Sequence, residues 1–479
     1  MTPLPPPEPV DLPAPGRRAR ARRALHTARV TARHFRALAA RRLFRRPLAP
    51  SAFAAPLRRT FEDLGATYLK FGQLVASSPG VFGDEVANEF RSCLDTGPPV
   101  PFPAVRAAVE ATVGRPLAQA FRRFEETPVG RASLAVVHRA ELADGRPVAV
   151  KVLRPGVDAV IATDLRLMRP LFDFLSLRVG VSEAGQLVRL LDGFREQVAE
   201  ELDLRNEARA MTWYRDLLRD LDLAMIVVPE PYPGLSGARV LTMEYLDGVP
   251  IDDFAAIAAL GLDPRPLMEA VVRAWILITV REGIFHGDVH AGNLFLLRDG
   301  RLGVLDWGIV GRLDAETHRF FRDVLAAALG DAAAWTAVAA QLQRAYGPAL
   351  RDQLGLGEAE LAEFVRGVME PLLTRPFGEA SLGTLLSAVQ GKVGDVVAPT
   401  WRARVRRLRE QRKLHAGVFA HGAVGSSFDR GTFLLAKQLM YFERYGKLFM
   451  ADSSLLADRE FVAGLLAETL PLAVGRSAS

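Results

Sequence analysis

The period of the apolar positions changes several times along the chain, and each change marks an element. Leu25, Ala28, Ala32, Phe35 and Ala39 recur at helical spacing until Pro47 and Pro50 break the pattern. From residue 52 to about 122 the spacing is helical again, interrupted by PPVPFP at 98–103. After Pro128 the period shortens, and LAVVHRAEL, the turn ADGR and PVAVKVL predict a β-hairpin with Asp144 and Gly145 in its turn. Helical spacing returns from about 157 to 219, where Leu187, Leu190, Leu191, Phe194, Val198 and Leu202 form one stripe. RVLTMEYL at 239–246 predicts a further strand that closes a small sheet, and a buried helix is expected around 266–282. NLFLL, RDGR and LGVLDWG then predict a second hairpin with Asp299 and Gly300 at its turn. From about 314 onward the pattern is helices and loops, with no internal repeat.

Composition narrows the class. A chain of 479 residues, 49% hydrophobic and 24% charged, can bury a core in two or three domains or in one large two-lobed one. The single cysteine, Cys93, excludes an internal disulfide and any cysteine-rich metal site, and suits a reducing, cytoplasmic setting. The proline-rich first sixteen residues read as a disordered leader with no apolar segment of a secretory signal. AWILITV at 274–280, flanked by Arg273 and Arg281, is too short to span a bilayer, as is FVAGLLAETLPLAV from 461, so no transmembrane helix is expected.

The net charge of +6 is unevenly spread. Residues 17–46 carry twelve arginines and no acid, and the rest of the chain has 49 basic against 55 acidic residues. The basicity therefore belongs to one arm.

Candidate chemistry follows the order of a protein kinase, in which a strand lysine pairs the phosphates with a helix glutamate while an aspartate and an asparagine hold Mg²⁺. Lys151 stands in VAVKV, Glu207 in ELDLRNEARA, Asp288 five residues before Asn293 in HGDVHAGN, and Asp306 at the head of DWG. No G-x-G-x-x-G or G-x-x-x-x-G-K-[ST] is present, so Gly130, Ala132 and Ser133 in PVGRASLAVV would form the phosphate flap. His286, Asp288 and His290 could instead be read as a transition-metal site, but the other six histidines show no ligand spacing. His286 is expected to brace the loop and His290 to support the turn before Asn293.

These features resemble the UbiB (AarF) family of atypical protein-kinase-like proteins over about 55–450. Its K-x-G-Q marker is present in LGATYLKFGQLVASSPGVF as Lys70, Gly72 and Gln73, and its E-x-D pattern as Glu201, Leu202 and Asp203. VAVKVLRPGV, MEYLDGVP and DGRLGVLDWGIVGRL are also close to family segments. The resemblance implies an α+β, protein-kinase-like two-lobed fold, with a small β-sheet lobe, a mainly helical lobe and an N-terminal helical K-x-G-Q extension. The corresponding divisions are 1–50 (leader and arginine arm), 51–127 (extension), 128–247 (N-lobe with a helical insertion), 248–450 (C-lobe) and 451–479 (tail).

By the same resemblance, Lys70 would reach toward Glu201 or the nucleotide, Lys151 would pair with Glu207, and Asp203 and Gln73 would belong to the lid. Asn293 and Asp306 would hold Mg²⁺, Asp288 would orient the attacking hydroxyl or water, and the backbone from Glu244 to Leu246 would take the adenine of ATP or ADP. No A-P-E segment follows DWG, which argues against a protein-substrate activation loop. The family is linked to isoprenoid quinone synthesis and to lipid precursors at membranes. This implies quinone-pathway enzymes as partners and a peripheral location on the inner face of a membrane.

The arginine arm, and a second basic stretch WRARVRRLREQRKLH at 401–415, would supply contact with anionic lipid. Nucleic acid is disfavoured, because only Phe35 and Phe44 interleave aromatics in the arm. Two other readings fit the motifs: a small-molecule phosphotransferase of the aminoglycoside or choline kinase type, and a nucleotide-gated scaffold without turnover.

Overall fold

The computed structural model describes residues 3–43, 50–76, 84–90, 99–176, 181–331, 333–341, 358–379 and 430–469. The basic stretch at 401–415, with Trp401, Val405 and Leu408, lies outside the described residues, as do the side chains of Leu187 and Leu190. The chain divides into two units, one of Met1–Asp222, Val227–Asp247 and Leu305–Ile309, the other of Leu223–Ile226, Gly248–Val304 and Val310–Ser479.

In the first unit, β1 (Arg123–Arg131), β2 (Ala135–Glu141) and β3 (Pro147–Leu153) form an antiparallel meander. The hairpin turns where Gly145 takes a φ of 89°, a left-handed conformation that glycine adopts without strain. Beyond β4 (Ile226–Val227), where the chain passes between units, β5 (Val240–Glu244) joins the sheet in the order β1-β2-β3-β5. The alternation of β3 sorts its two faces. Val148, Val150 and Val152 point into a core with Val105 and Val109 of the helix Phe102–Val113, which turns Lys151 to the opposite face. Each fully buried valine of that core contributes about 1.5–3 kcal/mol.

β1 is absent from the sequence reading, which extended helix to about 122 and placed a change only after Pro128. RFEETPVGR is polar and largely exposed, and Pro128 sits where the register shifts, as expected on an edge strand.

Two expectations for the N-terminus are corrected. The leader is held rather than disordered: the Val10 amide donates to the Ala199 carbonyl at 3.1 Å, the Glu8 amide to Asn206 Oδ1 at 2.9 Å, and Leu4 is buried. The arginine arm is a helix (Arg17–Leu43), but it docks on Ala24, Thr27, Val30, His34 and Leu38. Of the row that hydropathy marks, Leu25, Ala28 and Ala32 face solvent, Phe35 is half-buried and the side chain of Ala39 lies outside the described residues. Polar partners set the phase: Arg23 makes a two-point pair with the fully buried Asp164, at 2.7 and 2.8 Å, and also donates to the Leu64 carbonyl. A carboxylate buried to that degree must be paired, so one ion pair outweighs a short apolar row.

In the second unit, β8 (Leu294–Leu297) and β9 (Leu302–Val304) form the expected hairpin, with Gly300 at φ 81° in its turn. β6 (Gly248–Pro250) pairs with β8, giving the order β4-β9-β8-β6, while β7 (Ile284–His286) pairs with β10 (Val310–Arg312). The helix Arg265–Glu282 buries Leu267, Met268, Val271, Val272 and every residue from Ala274 to Val280. The AWILITV segment is therefore core, and no helix among the described residues is long and apolar enough to cross a membrane. The tail also packs: Val462, Leu465 and Leu466 of the helix Arg459–Thr469 are buried, and Arg281 reaches Glu468 at 2.6 Å.

Candidate active site

The first unit gathers a lysine among acids. Asp203 caps the helix Leu204–Asp220 by accepting the Arg205 amide, and the helix then places Leu204, Glu207, Ala210, Met211, Tyr214 and Leu217 on one buried stripe. A glutamate on that stripe needs a cation. Lys151, delivered by β3, supplies it with Nζ at 2.9 and 2.8 Å from the two Glu207 oxygens and 3.1 Å from Asp306 Oδ1.

Asp306 reaches this position from the loop after β9 in a left-handed conformation, φ 47°, which aspartate tolerates better than most residues. The next two residues hold it. The Trp307 amide donates to Glu207 Oε1 at 3.3 Å, and the Gly308 amide to Asp306 Oδ1 at 3.2 Å. A Cβ on Gly308 would stand 3.2 Å from Asp306 Oδ1, so a side chain there would push the Asp306 carboxylate by a few tenths of an ångström, while Glu201 Cγ at 3.8 Å and Glu207 Oε2 at 3.9 Å would be in ordinary contact. The Trp307 ring packs on Tyr214 with centroids 4.2 Å apart, which anchors the loop on the Glu207 helix.

Charge follows this crowding. Burial tends to push Asp306 up, but the Lys151 ammonium beside it and the more distant Lys70 hold its carboxyl well below the usual range. Burial works against the charge on Lys151, yet Asp306 and Glu207 hold its pKa above the ordinary lysine value. Glu207 is pushed up to about 7 by burial, against the pull of Lys151 and with the like charge of Asp306 adding to the rise. The site is thus a buried ammonium shared by two carboxylates, of which Asp306 is the more firmly ionised.

Lys70, on the helix Ala66–Ala76, pairs with Glu201 at the end of the helix Val181–Glu201, and Gln197 Nε2 also donates to Glu201 at 3.1 Å. Burial pushes the Glu201 carboxyl up despite Lys70. Gln73 is half-buried on the Lys70 helix. Asp203, grouped with the lid by motif, directs its carboxylate to the Arg205 amide and guanidinium.

The expected flap is a tight turn. Gly130 lies in β1 opposite Val137, and the Ala132 amide bonds the Ala135 carbonyl at 2.9 Å. Ser133 is buried, and Arg154 donates through Nε and Nη2 to the Ala132 carbonyl at 3.1 and 2.9 Å. Arg154 was not singled out in the sequence; its only signal is a cation directly after an apolar strand. At the far end of the sheet, the Glu244 amide is committed to the Glu230 carbonyl at 2.8 Å, while Leu246 lies past the end of β5.

The second unit holds the HGDVHAGN loop between β7 and β8. His286 Nδ1 accepts the Asp288 amide and His290 Nδ1 the Gly292 amide, each at 3.1 Å, so both rings brace backbone. Among the described residues no three His, Cys, Asp or Glu side chains form a metal cage. Asn293 is buried, and its Nδ2 donates to the Asp288 carbonyl at 3.0 Å, which leaves the amide oxygen as its metal-seeking atom. Lys437, which no motif marked, donates from the helix Arg430–Phe449 to Asp288 Oδ1 at 2.6 Å.

The Asp306 carboxylate in the first unit and the Asn293 amide oxygen in the second are each a hard oxygen donor of the kind Mg²⁺ takes, and magnesium usually takes one or two carboxylates together with phosphates and water rather than an all-protein cage.

Comparison with known proteins agrees with this architecture. The ABC1 atypical kinase-like domain matches residues 92–338. An uncharacterized aarF domain-containing protein kinase of the Arabidopsis thaliana chloroplast is 33% identical over 412 residues, 84% of this chain and 73% of that protein. An uncharacterized protein of Mycobacterium tuberculosis is 34% identical over 413 residues, 84% and 76% of the two chains. A probable protein kinase UbiB of Aeromonas salmonicida is 31% identical over 337 residues, 69% of this chain and 60% of that protein. With the kinase-like α+β fold and the K-x-G-Q segment in place, this chain belongs to the ABC1 atypical kinase-like, or UbiB/AarF, family.

Proposed function

We propose that the protein is an Mg-ATP-dependent atypical kinase or ATPase of the UbiB type that serves isoprenoid quinone or lipid metabolism at a membrane surface. The observation that carries this reading is the Lys151 ammonium held between Glu207 and Asp306. A cation fixed on a strand and oriented by a buried glutamate is what a triphosphate needs, and an ionised aspartate beside it is what the metal needs. Asp306 and Asn293 would hold Mg²⁺, which neutralises charge on the transferred phosphoryl group. Asp288 would orient the attacking hydroxyl or water, and backbone near Leu246 would take the adenine edge.

The membrane part of the proposal rests on the arm. Docking commits Arg23 to Asp164 but leaves Arg18, Arg22, Arg29 and Arg36 exposed. Their spacing puts all four on one side of the helix, and each basic residue near an anionic surface contributes about 1 kcal/mol. Membership of the UbiB/AarF family makes isoprenoid quinone precursors the first chemistry to supply.

The test is Mg-dependent ATP turnover with and without anionic vesicles, with Asp306→Asn as control. Turnover raised by vesicles and lost in the variant supports the proposal. Equal turnover in both proteins removes Asp306, and with it this site, from the reaction.

A further inference from the structure

The leader closes the end of the helix that carries Glu201. The last carbonyls of any helix lack partners within it and must find them elsewhere. In Val181–Glu201 the Ala199 carbonyl accepts the Val10 amide at 3.1 Å, while the Glu200 carbonyl accepts the Asp203 amide at 3.3 Å and Asn206 Nδ2 at 2.9 Å. The end of this helix is thus capped by the leader and by the side chain that holds the leader.

Asn206 is that side chain. Its Oδ1 accepts the Glu8 amide and its Nδ2 donates to the Glu8 carbonyl, both at 2.9 Å, so one side-chain amide meets the N–H and C=O of a single residue as a neighbouring strand would. Oδ1 also accepts Arg209 Nη2 at 2.6 Å. The clasp reads backbone: the Glu8 side chain is 69% exposed and approaches Arg209 only to 3.6 Å. Leu4 is buried further up the leader. Prolines at 3, 5, 6, 7 and 9 stiffen this segment before it docks, which lowers the entropy lost in docking. The clasp spans 198 residues of sequence and lies outside every recognised motif.

Glu201 is the last residue of the capped helix, and its carboxylate meets Lys70 of the helix Ala66–Ala76. Leu202 and Asp203 are buried and anchor the following turn from inside, but the Ala199 and Glu200 carbonyls are covered by the leader and Asn206. Helix ends fray from the last residue inward, so an uncapped end disturbs Glu201 first.

We propose that residues 4–10 are a strap, an intramolecular ligand recognised through its backbone by Asn206. Its docking fixes the last turn of Val181–Glu201 and, through Glu201, the helix that carries Lys70. Displacing the strap lets the Glu201 turn fray and the Lys70 helix loosen. The device involves no covalent step and acts whether or not the site turns over nucleotide.

The experiment is amide hydrogen exchange, read by mass spectrometry on the full chain. The proteins are wild type, Glu8→Ala, Glu8→Pro/Val10→Pro, Asn206→Ala, Glu201→Ala and the triple variant Glu8→Pro/Val10→Pro/Glu201→Ala. Proline suits a leader already rich in it, and here it removes the two donated amides while leaving the carbonyls. Three stretches are compared: 198–206, 66–76 and, as internal reference, 148–153 in β3. The expected result is exchange faster by about threefold or more in 198–206 and 66–76, for the double-proline variant and for Asn206→Ala, with 148–153 unchanged. Glu8→Ala, which keeps the backbone groups, should match wild type. Glu201→Ala should speed exchange in 66–76, and adding the two prolines should speed that stretch no further, because both act through one contact. Unchanged exchange at 198–206 in the double-proline variant would overturn the strap. Faster exchange there with 66–76 unchanged, or a further rise at 66–76 in the triple variant, would overturn the route through Glu201. An effect of Glu8→Ala equal to that of the prolines would overturn backbone recognition, and an equal rise at 148–153 would reduce the strap to general stabilisation and overturn it.

Discussion

Lys151 stands between Glu207 and Asp306, with Nζ 2.8 Å from the nearer Glu207 oxygen and 3.1 Å from Asp306 Oδ1. One ammonium balances two carboxylates, so the arrangement depends on it electrostatically as well as sterically. Lys151→Met should leave the buried Glu207 uncompensated and cost about 3–5 kcal/mol of stability, the usual result of removing one partner of a buried pair, whereas Asp306, with a 43% exposed side chain, keeps the influence of Lys70. Adding Glu207→Gln should recover part of that loss. Urea unfolding of the two variants checks it, and a double variant less stable than Lys151→Met would be inconsistent with this balance.

The arginine arm yields a stability prediction opposite to that for a solvated tail. Arg23 neutralises Asp164, which has no exposed surface. Arg23→Ala should destabilise the protein by about 3 kcal/mol, and Asp164→Asn in the same chain should reduce the deficit. Arg29→Ala, on the exposed side, should change stability by less than about 0.5 kcal/mol. Equal effects at 23 and 29 in thermal melts would mean that the arm does not dock through Arg23.

That exposed side is also the proposed lipid contact. Replacing Arg18, Arg22, Arg29 and Arg36 together by glutamine should weaken sedimentation with anionic vesicles at least tenfold, at about 1 kcal/mol per arginine engaged. Zwitterionic vesicles should show no such difference. Undiminished binding to anionic vesicles would remove the arm from the membrane account.

His138 gives the structure a pH dependence. It is buried in β2, and its ring bonds the Glu125 carbonyl at 2.8 Å. Burial lowers its pKa below that of an ordinary histidine, although the bond to the Glu125 carbonyl opposes the shift. The unfolded chain therefore takes up the proton first, so stability contributed by neutral His138 is present above about pH 6.5 and falls as the pH drops below it. His138→Leu should flatten the melting temperature between about pH 6.5 and 5 relative to wild type. An identical slope in both proteins would show that the ring does not stay neutral in the fold.

Much of this was legible in the sequence, for reasons particular residues show. The alternation of PVAVKVL is strict enough to place Lys151 on one face of a strand and Val150 and Val152 on the other, and the structure does the same. The order of Asp288, Asn293 and Asp306 is equally local. What escaped depends on distant partners. The phase of the arginine helix is set by Asp164, 141 residues from Arg23, and Asp288 meets Lys437 149 residues away. β1 escaped for another reason: an exposed edge strand carries charges and a proline and has no apolar face to announce it.

The most direct test of the account is the equilibrium affinity for ATP with and without Mg²⁺, measured by calorimetry on wild type and Asp306→Asn. The account predicts binding that Mg²⁺ strengthens at least tenfold in the wild type, and an Asp306→Asn protein in which that strengthening is lost. Nucleotide affinity that is the same in both proteins, with or without the metal, would contradict it.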